Sequence, residues 1–158
     1  MIHQYVSQNV EPQTWRSQKK EINSCDPKST MARQVILVIK TKSIYEPDEK
    51  DDGIRVLITR YYPRGIRKGK FDCWNKELSP SGNLLKNYRQ GNYNWEEFKS
   101  GFLSEMRNNK ESLETIHALN AENKSIVITL LCYEREGRQP CHRYIVKDII
   151  KKPQLLYT

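Results

Sequence analysis

No stretch of this 158-residue chain offers the roughly 20 consecutive apolar residues that a bilayer-spanning helix needs. Its first residues, MIHQYVSQNV, lack a basic opening followed by a long apolar core, so no secretory leader is expected. Both absences lead us to expect a soluble, cytoplasmic protein with no membrane partner. Cysteine is sparse: Cys25, Cys73, Cys132 and Cys141 include no C-x-x-C pair. That spacing reads neither as a disulfide framework nor as a zinc site. Histidine is sparser, with His3, His117 and His142 far apart in the chain, so neither a metal nor a cofactor is expected. There are no internal repeats. The length allows one domain with a real core and is short for two.

The charge is less balanced. Lysine and arginine number 27 against 19 acidic residues, a net +8, which favours acidic partners. Between Ile54 and Lys70 stand Arg55, Arg60, Arg64, Arg67, Lys68 and Lys70, with no acid among them. The compensating acids Asp48, Glu49, Asp51 and Asp52 precede this run.

Residues 1–33 are polar, carry Pro12 and Pro27, and show no periodicity, so they are expected to form a flexible N-terminal tail. Met31 could be an alternative start of translation. Residues 34–158 then make the single domain. Val35–Thr41, Ile54–Arg60 and Ser125–Cys132 have the β-branched or continuous apolar character of strands, the last apolar on both faces and therefore central. Asp72 is placed to cap a short helix over Cys73–Leu78, and a further helical piece runs from Ser79-Pro80-Ser81 to Tyr88. Asn94 with Glu97 forms a capping-box pattern, followed by Trp95, Phe98, Phe102 and Met106 at helical spacing. Leu113, Ile116 and Leu119 mark another helix, with His117 at the edge of its apolar stripe, and Pro140–Lys151 a last one. Strands alternating with helices imply an α/β fold: a small sandwich with a mostly parallel central sheet flanked by helices.

Open α/β sheets bind ligands at the carboxyl ends of their strands. Two unusual segments map there: Arg60-Tyr61-Tyr62-Pro63-Arg64-Gly65, and the stretch from Cys132 to Arg143. If their strands are parallel neighbours, Arg60, Arg64 and Arg143 converge beside the N-terminus of the last helix, where free N–H groups and guanidinium groups suit a phosphate or carboxylate. The alternative is that these arginines pair with Asp72, Glu134, Glu136 or the Asp48–Asp52 loop. Cys141-His142-Arg143 places a thiol at a helix start beside two basic groups, as a reactive thiolate requires, and His142 could instead serve as a general base. Successive residues on a helix point apart, so all three cannot face one ligand. Cys132 and Arg138 have the spacing of a phosphatase thiolate loop, but Gly137 and Pro140 precede the helix, and that match is set aside. The basic run also interleaves with Tyr61, Tyr62 and Trp74, as in a nucleic-acid-binding surface.

The segment from Asp52 to Gly65 resembles the D-G-x-R-x-L-x-x-R-x-W-P-R-G motif of the YeaO-like group within the "domain of unknown function 488" family. The resemblance continues through Asp72, Trp74, Leu78, Ser79-Pro80-Ser81, Leu84 and Trp95-Glu96-Glu97-Phe98. It closes on Cys132-Tyr133-Glu134 and Cys141-His142-Arg143, similar to the C-x-E … C-H-R of the wider family. It covers about Ile39 to Ile150 and implies a compact cytoplasmic α/β domain, without implying a reaction. Thr59 stands where YeaO-like members usually carry an acid, and Tyr62 where they carry tryptophan. The reading that follows is an anion pocket for a phosphorylated small molecule or nucleotide. Arg55, Arg60, Arg64, Arg143 and Cys132 bind the ligand, and His142 and Cys141 supply any catalysis. The alternative is a non-enzymatic nucleic-acid-binding module.

Overall fold

In the computed structural model, residues 38–135, 137 and 140–157 are described. The expected tail, Cys25, Met31, the first residues of the expected opening strand, Glu136 and Arg138 lie outside them. Four parallel strands, β1 (Ile39–Ser43), β2 (Ile54–Leu57), β3 (Cys73–Trp74) and β4 (Ile128–Cys132), form one sheet in the order β1-β4-β2-β3. Four helices accompany them: α1 (Gly82–Arg89), α2 (Trp95–Arg107), α3 (Lys110–Glu122) and α4 (His142–Lys151). This is the small α/β architecture expected from the sequence. No described helix is long and apolar enough to cross a membrane.

β4 is buried at every position and central, as its continuous apolar run requires. It pairs with β1 from Ile39↔Ile128 to Ser43↔Cys132, and with β2 from Ile54↔Ile128 to Leu57↔Leu131. Alternation along the strands divides the core in two. Val56, Ile58, Ile128 and Leu130 join Phe98, Phe102, Met106, Ile116, Val146 and Ile149 in the large helix-side cluster. Ile44, Leu57 and Leu131 form a smaller cluster, covered by Ile66, Phe71 and Trp74. The basic segment after β2 therefore wraps one face of the sheet and is anchored there by its own apolar residues.

The expected helix over Cys73–Leu78 is not formed. Cys73 and Trp74 pair with Val56 and Leu57 as an edge strand, and only Lys76–Leu78 makes a 3-10 turn. Asp72 caps no helix: its carboxylate accepts the Arg55 backbone N–H at 2.7 Å, which secures the new strand to β2. A two-residue strand is too short for periodicity to reveal. β2 also stops at Leu57, before the expected Arg60, although the Ile58 N–H still donates to the Leu131 carbonyl at 3.0 Å.

The capping box is present in full. The Asn94 side chain accepts the Glu97 N–H at 3.0 Å, and the Glu97 carboxylate accepts the Asn94 N–H at 2.7 Å. Asn94→Ala is expected to lower stability by about 1 kcal/mol, measurable as an earlier urea midpoint with unchanged slope.

Candidate functional site

All strands point the same way, so the C-terminal ends of β1, β2 and β4 share one rim. At that rim Cys132 ends β4, and its carbonyl accepts the Ile44 N–H at 2.8 Å. Ser43 Oγ donates to the Tyr133 carbonyl at 3.1 Å, which ties the chain leaving β4 to the end of β1. After the loop, Cys141 occupies the N-cap of α4, its side chain making no capping bond. Cys132 and Cys141 are 1% and 3% exposed, and His142 is 8% exposed. Their ligand atoms all lie within 4.8 Å of one another.

Each member of this cluster is held by a definite contact. Glu134, half-buried, accepts from the Cys132 thiol at 2.8 Å and from the Cys141 thiol at 3.4 Å. His142 Nε2 lies 2.8 Å from the carbonyl of Ile58, just beyond β2. A carbonyl can only accept, so Nε2 carries a hydrogen, and Nδ1 is the nitrogen turned to the sulfurs. Nδ1 is 3.9 Å from both sulfurs. Phe102 of α2 packs edge-on against the imidazole, with ring centroids 5.7 Å apart. The ring cannot turn without breaking both contacts.

The cluster's electrostatics separate the two thiols. A hydrogen bond from Cys132 draws the Cys141 thiol down to about 6 against the cost of burial, with help from His142. The same interaction, with burial and the Glu134 charge, pushes the Cys132 thiol well up. Burial raises the Glu134 carboxyl, but the thiol hydrogen bonds and its backbone contact outweigh that and hold it below the ordinary range. Cys73 is apart from this group, and burial pushes its thiol to about 12.

The arginines do not converge as the sequence suggested. Arg143 is fully buried; its Nη1 donates to the Glu134 carbonyl at 2.6 Å and its Nη2 to the Tyr144 hydroxyl at 3.1 Å. Its Nε has no hydrogen-bond partner. Arg143 therefore fixes the backbone of Glu134 and is closed to an external anion. Arg55 is buried and engaged by Asp48 at 2.9 Å and Asp52 at 3.6 Å, the ion-pairing alternative. Arg60 and Arg64 are exposed. Arg60 lines a groove of about 250 Å³ with Lys76, Ser79, Ser81, Asn109 and Ser112, bordered by Glu77 and Glu105. Of the site residues expected from the sequence, the structure brings Cys132, Cys141 and His142 together.

Glu134 is the residue the sequence reading passed over as a site member. The signal was its place two residues after Cys132 at the end of a strand, together with the Cys-x-Glu pattern. The two departures from the YeaO-like motif have local roles. Thr59 is buried and donates to the Tyr61 carbonyl at 2.9 Å. Tyr62 packs edge-on against Phe71 and Trp74, with centroids 5.9 and 5.4 Å away.

Comparison with known proteins places this geometry in a family. Residues 39–154, from β1 to the turn after α4, match DUF488-N3a, described as the "Active DUF488-N3 subclade". The chain is 35% identical over 115 residues to the uncharacterized protein YeaO of Escherichia coli, covering 72% of this chain and 96% of YeaO. It is 34% identical over 70 residues to the uncharacterized protein Mb3100c of Mycobacterium bovis, covering 43% of this chain and 59% of that one. No solved structure matches. With the match spanning every strand and helix of the sheet and its rim, the chain belongs to the YeaO-like branch of the DUF488 family.

Proposed function

We propose that the protein binds a phosphorylated, nucleotide-type anion beside the C-terminal rim of its sheet, next to the groups gathered at Cys132, Glu134, Cys141 and His142. The observation that carries this reading is how the charges are sorted. The acidic loop takes up Lys40, Lys42, Arg55 and Lys70 in ion pairs of 2.5 to 2.9 Å. Arg60, Arg64, Arg67 and Lys68, all exposed, have no ion-pair partner among the described residues. Other exposed cations, such as Lys86, Arg89, Lys99 and Lys151, are also without an ion-pair partner among the described residues but lie on α-helices, whereas these four follow one another on the surface of the loop leaving β2. Arg60 follows by two residues the Ile58 carbonyl that holds His142, so this surface adjoins the buried cluster. Guanidinium groups in that position can grip a phosphate with two parallel hydrogen bonds.

The test is a thermal-shift and calorimetric screen of inorganic phosphate and mononucleotides on the wild type, Arg60→Ala and Lys70→Ala. Losing one guanidinium–phosphate contact should weaken binding roughly ten- to hundredfold. Lys70→Ala, whose cation is already paired with Asp48, should bind as the wild type does. Equal affinity in all three proteins, or no ligand that shifts the wild type, sinks the proposal.

One observation favours a second reading, a surface for single-stranded nucleic acid. Tyr61 is 64% exposed beside the unpaired arginines and offers a face for base stacking. If the four unpaired cations each contact a phosphate, log K should fall with log salt at a slope of about −3. Mononucleotide affinity would then be weak and insensitive to Arg60→Ala.

A further inference from the structure

We propose that Cys132, Cys141 and His142, with Glu134 as fourth donor, form a binding site for a thiophilic divalent cation, zinc in the first instance. This inference stands independently of the anion reading. Four observations carry it. First, two sulfurs and one imidazole nitrogen lie within 4.8 Å of each other inside the fold, and the Glu134 carboxylate bridges both sulfurs.

Second, the spacing is that of a coordination shell. Zinc–sulfur and zinc–nitrogen bonds of about 2.3 and 2.0 Å in a tetrahedron put sulfur and nitrogen about 3.5 Å apart. The two sulfur–Nδ1 distances are 3.9 Å each, so small side-chain shifts close the shell.

Third, the histidine is oriented as a ligand. Its Nε2–H is fixed on the Ile58 carbonyl, so the nitrogen that faces the sulfurs is Nδ1, the one open to a metal in the neutral ring. Metal-binding histidines characteristically donate their other ring N–H to such a carbonyl. A proton carrier needs a nitrogen that can reach substrate. Here one nitrogen is engaged by backbone and the other faces two buried thiols, so His142 and Cys141 are better suited to hold a metal than to shuttle protons or attack substrate.

Fourth, the charge closes. Two thiolates and a carboxylate bring three negative charges, the cation two positive ones, and the buried Arg143 supplies the remaining one. Arg143 has no carboxylate partner among the described residues, and it lies close enough to interact electrostatically with both sulfurs. A soft sulfur–nitrogen donor set selects zinc over calcium or magnesium. The other cluster of acids, Glu49, Asp51 and Asp52, contains only oxygen donors and is taken up by Lys40, Lys42 and Arg55.

The test uses the full chain, purified under reducing conditions. Metal analysis should find close to one zinc per chain. Cobalt(II) added to the metal-stripped protein should give tetrahedral d–d bands together with thiolate-to-metal charge transfer. Cys141→Ser and His142→Gln should each reduce cobalt affinity by ten-fold or more, while Cys73→Ser leaves it unchanged. Circular dichroism of each variant establishes that it is folded. Should Cys141→Ser fail to fold, the wild-type cobalt spectrum and His142→Gln still decide. Cobalt bound without a charge-transfer band indicates oxygen ligation at the acidic loop and overturns the proposal. Stoichiometric metal retained in folded Cys141→Ser and His142→Gln does the same, as does a reduced, folded protein that takes up no cobalt.

Discussion

Asp52→Ala is expected to destabilise the domain by about 3–5 kcal/mol, a large part of a typical domain's stability. The Asp52 side chain is 1% exposed and stands between two cations. Its Oδ1 is 2.7 Å from Lys42 Nζ, and its Oδ2 is 3.6 Å from Arg55 Nε while also accepting the Glu49 N–H at 3.0 Å. Truncation leaves the buried Arg55 guanidinium with only the half-exposed Asp48. The same carboxylate should dominate the acid limb of stability. Burial raises its pKa, but hydrogen bonds from Lys42 and the Glu49 N–H, with both neighbouring charges, lower it further, to a net position below the ordinary value. A depressed carboxyl stabilises the fold above the unfolded-state pKa of about 3.9, and that contribution is lost as pH falls through the folded value. The urea midpoint should therefore hold from pH 7 to about 5 and drop below about 4. Asp52→Asn should start lower at pH 7 and lose less on acidification. Parallel acid limbs for the two proteins would refute this account.

Asp52 also shows how far the motif could be read. The Asp-Gly-x-Arg half of the resemblance builds structure. Asp52 and Arg55 pair, and Gly53 has φ +65° and carries no Cβ because one would lie 2.0 Å from the Val127 carbonyl oxygen. That carbonyl receives the Ile54 N–H at 2.9 Å and starts the β2–β4 ladder. The second half, from Arg60 to Gly65, lies on a loop that buries Pro63 and exposes both arginines. One continuous sequence pattern thus serves folding at one end and surface charge at the other. Nothing in residue identity separates Arg55 from Arg60; only the position of the acidic loop does.

The long elements were legible because their signals are local. The Asn94 box, the Trp95–Met106 stripe and the apolar run of β4 each need only neighbouring residues. β3 was not legible, since two residues form a strand only because β2 lies beside them. The buried cluster was legible only in part: Cys132, Cys141 and His142 could be placed at one rim, but not their mutual geometry or the part of Glu134. Cys132 and Cys141 are nine positions apart with no standard ligand spacing, and what unites them is a loop that turns the chain from β4 back to α4. The decisive contact, His142 to the Ile58 carbonyl, joins positions 84 apart in sequence. No periodicity reports on such a bond.

Arg143 supplies the second large effect. A guanidinium removed from water costs several kcal/mol unless negative charge compensates it, and this one makes two hydrogen bonds and leaves Nε without a partner. Arg143→Ala removes the hydrogen bond to the Glu134 carbonyl and opens a cavity beside α4, for an expected loss of about 3–5 kcal/mol. Arg143→Met preserves much of the volume and removes the charge together with its hydrogen bonds. If the arginine balances the thiolate–carboxylate cluster, the methionine variant should still cost about 1–3 kcal/mol in the metal-stripped protein, because the Glu134 carbonyl loses its donor. It should also weaken cobalt binding by about ten- to hundredfold, as loss of an outer-shell partner does. Urea midpoints and competition against a chelator measure the two effects separately. A methionine variant with wild-type stability and wild-type metal affinity would show that Arg143 fills space and that its charge is idle. Loss of metal affinity without loss of stability would place its role wholly in the electrostatics of the sulfur cluster.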